Sequence, residues 1–167
     1  MSTTEEGERM GARVAVKHGA RHDGAMLGRL VLAACGVLLV GCGEPPPSDA
    51  LALEHCVKLN IEPLPQTPED PHVGTKDVFG CGVPKEALRP PYPDGTLIVK
   101  LATRQGQGFP WLLATARKVG GQWAWAEYTR NFAEEEYAKL PVREAVCTDC
   151  HAKVAAIDYI YTRYTER

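Results

Sequence analysis

Methionine is missing from everything after Met26: the three methionines of the chain are Met1, Met10 and Met26. A domain folded from the later residues therefore has no thioether to offer a metal. Charge of one sign is not in excess either. The 167 residues carry a formal net charge of −2, which gives no footing to a nucleic-acid or polyanion partner. No repeat recurs along the chain. The longest apolar run, Leu30 to Val40, has eleven residues, whereas a bilayer-spanning helix needs about 20. After Cys42 there is no second C-x-x-C and no H-x-x-x-H, so a four-ligand zinc site lacks half its donors. No Asp or Glu falls between Leu101 and Ala126.

The apolar run is instead of signal-peptide length, with Arg29 and Arg21 on its N-terminal side. A start at Met26 would give it a compact basic leader. The run ends in Leu39-Val40-Gly41-Cys42, which resembles a bacterial lipobox; cleavage of a plain signal peptide nearby is the other reading. The lipobox reading makes residues 1–41 a signal peptide and Cys42 the lipidated N-terminus. It places the protein in the bacterial periplasm or cell envelope, attached to a membrane by its lipid. Residues 42–50, with Pro45, Pro46 and Pro47, are expected to form a flexible tether. Residues 51–167 are expected to form one small domain.

Four of the six cysteines lie beyond the tether's start residue. Cys56 and Cys81 are the natural disulfide pair in an oxidising compartment, with two free buried thiols as the alternative. The other two stand in Cys147-Thr148-Asp149-Cys150-His151. Two thiols one helical turn apart can reach the two vinyl groups of a haem, and the adjacent imidazole can bind its iron. The pattern reads as attachment of one covalent haem c, with His151 as proximal ligand. A thioredoxin-like redox pair would sit after the first strand of a βαβ unit, not near the C-terminus. On the far side of the iron only His55 and His72 remain as possible imidazoles after residue 42. Both stand in polar or proline-rich contexts that suit surface residues, so an open iron position is expected.

The local patterns predict an α+β fold, mainly antiparallel sheet with flanking helices. A short helix is expected within 51–59 and loop over 60–95. Strands are expected at Thr96–Leu101, Trp111–Lys118 and Gln122–Tyr128, the last two joined by a Gly120-Gly121 hairpin turn. Trp123, Trp125 and Glu127 share a face of the third strand. Phe132–Leu140 has helical composition with Asn131 as a candidate cap. The haem motif is expected on a helix within Val142–Val154, and Ile157–Tyr164 as a closing strand-like stretch.

Taken together, Pro93-Asp94-Gly95-Thr96-Leu97-Ile98-Val99-Lys100, the Trp-bearing strand pair, the haem motif and Ile157-Asp158-Tyr159-Ile160-Tyr161-Thr162-Arg163 resemble the cytochrome P-460 family, which includes the cytochromes c′-beta. The likeness covers about residues 86 to 165. It implies a homodimer, a five-coordinate haem on His151, and action on small nitrogen species, with an electron-transfer cytochrome as a possible partner. In hydroxylamine-oxidising members a strand lysine is joined to the haem macrocycle, and the motif carries that role to Lys100. The bland reading of Lys100 is an outward-reaching surface lysine on the strand face shared with Ile98, opposite Leu97, Val99 and Leu101. Those members also hold a carboxylate over the open iron, and the matching position here is Leu113. An apolar wall there favours binding of NO or CO, as in the c′-beta branch. Glu127, the nearest acid, reads as a strand-surface residue. Two functions stay open: hydroxylamine or NO oxidation with a Lys100-linked haem, and non-enzymatic NO or CO binding. A bis-imidazole electron carrier is a third.

Overall fold

A computed structural model describes residues 44–165. The expected leader, residues 1–41, and Cys42 lie outside the described residues. Six strands form one antiparallel sheet: β1 (Val57–Lys58), β2 (Thr75–Cys81), β3 (Leu97–Thr103), β4 (Leu112–Val119), β5 (Gln122–Thr129) and β6 (Ala138–Lys139). Their spatial order is their chain order, so every strand pairs with its neighbours in sequence. Two short α-helices flank the sheet, α1 (Ser48–Leu51) and α2 (Glu144–His151), and a 3-10 turn over Ala152–Ile157 extends the second. The expected α+β class holds. Among these residues no helix is long and apolar enough to cross a membrane.

The period of two along the central strands sorts side chains onto two faces. Leu97, Val99, Leu113 and Tyr128 pack on one face with Ala50 and Cys81. Val78, Ile98, Ala116 and Trp123 pack on the other with Leu59, Leu88, Tyr92 and Ile160. The register sets Lys100 opposite Val78 and Ala114, and Ala114 opposite Glu127. Lys100 and Glu127 therefore lie on the second face, one strand apart. Apolar residues on both faces explain why β3 reads as a continuous apolar run.

Five expectations need correction. The tether does not extend through residue 50: Ala50 is fully buried, and Asp49 pairs with Arg117 at 2.6 Å. The 60–95 segment contains β2, which pairs with β3 along the whole of that strand, from Thr75 opposite Thr103 to Cys81 opposite Leu97. Phe132–Leu140 is not a helix. Glu135 accepts the Asn131 and Phe132 N–H groups, and β6 pairs with the end of β5 instead. Ile157–Tyr164 is not a strand, because Asp158 and Tyr159 both adopt left-handed backbone (φ 56° and 65°). The short helix expected within 51–59 resolves into the end of α1, a 3-10 turn over Leu53–His55, and β1.

Cys56 and Cys81 are disulfide-bonded, as expected, closing 25 residues of separation. The bond ties the segment after α1 to the end of β2, closing a loop that holds β1, β2 and the irregular residues 59–74 between them. Replacing both cysteines by serine is expected to cost about 3 kcal/mol. Urea unfolding should show it as a lower midpoint with a somewhat steeper slope, because the unfolded chain without the cross-link exposes more surface.

Candidate functional site

A cavity of about 340 Å³ opens between the second face of the sheet and the C-terminal segment. The sheet supplies an apolar wall of Val78, Ile98, Leu112, Ala114, Ala116 and Trp125. Cys147, Cys150 and His151 line the opposite side from α2. The volume is within the range of ordinary small-molecule sites.

His151 is held with one nitrogen committed. Its Nδ1 lies 2.6 Å from the Tyr159 carbonyl, which can only accept, so Nδ1 carries the proton and Nε2 keeps its lone pair. The left-handed pair Asp158-Tyr159 turns the chain so that this carbonyl faces back to α2. The ring is packed by Trp125 at 4.2 Å and by Tyr161, edge-on, at 5.3 Å. Burial pushes its pKa below the usual histidine value, which favours the neutral, ligating imidazole. Cys147 and Cys150 are unpaired thiols. Burial, with help from Glu127 and Glu144, raises the Cys147 pKa, so it is not an activated thiolate.

Asp158 anchors that turn. Its carboxylate accepts from Lys118 Nζ at 2.5 Å, Tyr92 N–H at 2.8 Å and Trp123 Nε1–H at 3.2 Å. The sheet thus fixes the turn, the turn fixes Tyr159, and Tyr159 fixes His151.

The polar part of the cavity is a row of three groups. Lys100 Nζ is 3.2 Å from His72 Nδ1, and His72 Nε2 is 3.0 Å from Glu127 Oε1. Lys100 faces the cavity and is not an outward-reaching surface lysine; burial lowers its pKa. The hydrogen bond from His72 holds the Glu127 carboxyl below the usual range, against the effect of burial. His72 is brought in by a braced loop. Its N–H donates to Asp70, Gln66 accepts the Gly74 N–H, and Trp111 Nε1–H donates to the Val73 carbonyl. Gly74 (φ +105°) permits this, since a Cβ there would stand 2.1 Å from the Thr103 carbonyl oxygen. Asp70 pairs with Lys76, whose side chain is almost fully buried.

Three site expectations change. Leu113 does not look onto the cavity: it packs on the other face, and Leu112 and Ala114 take the wall. Glu127 is not a surface residue, because its side chain is 17% exposed and bonded to His72. Nor is His72, at 8% exposure. His55 remains on the surface, with an 80% exposed side chain. The sequence did put Glu127 on the tryptophan face of its strand, and that parity was the usable signal. Nothing local marked His72.

The site's donors fit a covalently attached haem. Two thiols one turn apart and an imidazole with a free Nε2 line one side of an apolar cleft. They do not fit a bare metal: among the described residues no three His, Cys, Asp or Glu side chains are grouped to hold one. The class that fold and site define is a single-sheet α+β domain with an apolar cavity, a fixed imidazole and a buried Lys–His–Glu row. No family model and no curated protein matches the chain.

Proposed function

We propose that this is an exported c-type mono-haem protein of the cytochrome P-460 kind, acting on small nitrogen species by oxidising hydroxylamine or NO. One observation carries the reading. His151, fixed through Nδ1 on the Tyr159 carbonyl, stands with Cys147 and Cys150 on one wall of a cavity whose other wall holds Lys100. Cys147 and Cys150 would hold the haem by thioethers and His151 would ligate its iron. Bound there, haem would supply a redox centre able to bind a small ligand. The chain's own residues do the rest. The apolar wall offers water few hydrogen-bond partners. Lys100 is available as a further tether. Glu127, with His72, offers a proton acceptor on the same wall, which hydroxylamine oxidation needs. The disulfide supports an oxidising compartment, in keeping with a leader on residues 1–41 and a lipid on Cys42.

Val78, Ile98, Leu112, Ala114 and Ala116 favour a second reading, non-enzymatic binding of NO or CO on an apolar wall. Expression in a host that matures c-type cytochromes, followed by intact mass and reduced absorption, separates these. One haem per chain with a Soret band far to the red, lost in Lys100→Ala, is expected for the oxidase. An ordinary five-coordinate haem c spectrum leaves the gas-binding reading. A chain without covalent haem overturns both.

A further inference from the structure

The Lys100–His72–Glu127 row can hold its protons in two ways. In one, an ammonium at Lys100 donates to a neutral His72, whose Nε2–H donates to Glu127. In the other, the imidazole takes the charge: Nδ1–H donates to the lone pair of a neutral amine, and Nε2–H donates to the carboxylate. We propose that His72 is a positioning residue that carries the positive charge in place of Lys100, holding Nζ as a neutral amine aimed into the cavity. The surroundings of the two nitrogens decide between the states. Lys100 is a buried side chain lining a mostly apolar cavity, where a charge loses its hydration. The imidazole is bracketed by carboxylates, with Glu127 at 3.0 Å from Nε2 and Asp70 at 3.6 Å from Nδ1. Moving the charge one hydrogen bond along the row takes it from the buried amine to the imidazole between the two carboxylates. Lys76 faces Asp70 and offsets part of its charge, and Cys150 and His151 look on from α2. The lowered pKa of Lys100 agrees in direction.

A neutral buried amine is a nucleophile at ordinary pH. The chemical class it would take is an electrophilic carbon small enough to enter: the N–C bond forms, the leaving group departs with its electron pair, and the amine proton passes to solvent base. This inference shares Lys100 with the haem reading but stands on His72, Glu127 and Asp70.

Trace acetylation of the full-length protein with acetic anhydride tests it. Acetyl-lysine is counted at each lysine by peptide mass spectrometry from pH 7 to pH 10. Access cancels, because each lysine is compared with itself. An exposed lysine such as Lys139 should gain several-hundredfold or more, roughly its gain in neutral amine. Lys100 should change by less than about threefold. His72→Asn should restore the steep profile at Lys100, and Glu127→Gln should steepen it in part; a thermal melt shows that each variant is folded. A steep profile at Lys100 in the parent protein overturns the proposal, and so does an unchanged flat profile in both variants. Where peptide mapping finds Lys100 already bonded to a haem, the same variants decide. An unbonded Lys100 in His72→Asn supports the proposal, and a bond formed to the same extent overturns it. Absence of haem would sink the function proposed above and leave the acetylation profile to decide this inference alone.

Discussion

Asp158→Ala is expected to destabilise the protein by about 3–5 kcal/mol, the range for stripping one partner from a buried ion pair. The exposures of the paired side chains are 9% for Lys118 and 12% for Asp158. Removing the carboxylate leaves Lys118 Nζ uncompensated and takes the acceptor from Tyr92 N–H and Trp123 Nε1–H. It also removes a side chain suited to left-handed backbone at φ 56°. Asp158→Asn keeps that backbone preference and an acceptor and should cost less. Urea midpoints of the two variants check the order. The pH dependence has a definite sign. Burial raises the Asp158 pKa, but the hydrogen bonds from Lys118, Tyr92 and Trp123 outweigh it and the folded-state value is lowered. Its stabilisation is therefore fully present above about pH 3.9, the unfolded value, and is lost as pH falls through the folded one. In Asp158→Ala this part of the acid sensitivity should disappear. Because Asp158 also holds the turn that aims Tyr159 at His151, the variant should broaden any spectroscopic signature of His151.

The second large effect is on composition. On the proposed reading, replacing Cys147 and Cys150 together by serine should take covalent haem from one per chain to none, measured by intact mass. The sheet should survive, because α2 buries none of its residues. Far-ultraviolet circular dichroism of the variant should then keep its β character. His151→Ala should instead keep the covalent mass and change the absorption spectrum, since the thioether bonds do not need the imidazole. Loss of the fold in the double-serine variant would contradict the placement of α2 outside the core.

The parts of the fold legible in the sequence were those with a local signature. Gly120-Gly121 between alternating strands gave the β4–β5 hairpin, and the β-branched run gave β3. The cysteine count gave the Cys56–Cys81 bond. β2 was hidden because Lys76 and Gly80 occupy buried positions, so the strand does not alternate apolar with polar. Lys76 is tolerated there by its pairing with Asp70, which no local pattern announces. Phe132–Leu140 misled in the opposite direction. Its composition suits a helix, but nearly every residue is exposed, and a helix without an apolar face gains nothing from packing. Long-range bonds win instead: Leu140 N–H to the Glu127 carbonyl, and Tyr137 hydroxyl to the Pro110 carbonyl. At the site, Lys100 and the Cys–Cys–His motif could be found in sequence. His72 could not, since its burial comes from a loop folded onto the ends of β3 and β4.

That α2 contributes nothing to the core has a consequence for how the domain breathes. Its amide protons should exchange with solvent through local opening, well before those of β3 and β4, which open only with the whole sheet. Such opening would carry Cys147, Cys150 and His151 outward as a unit, leaving the sheet wall of the cavity intact. A group bonded to α2 and seated against that wall would close this motion, and slower exchange over Cys147–His151 would record it.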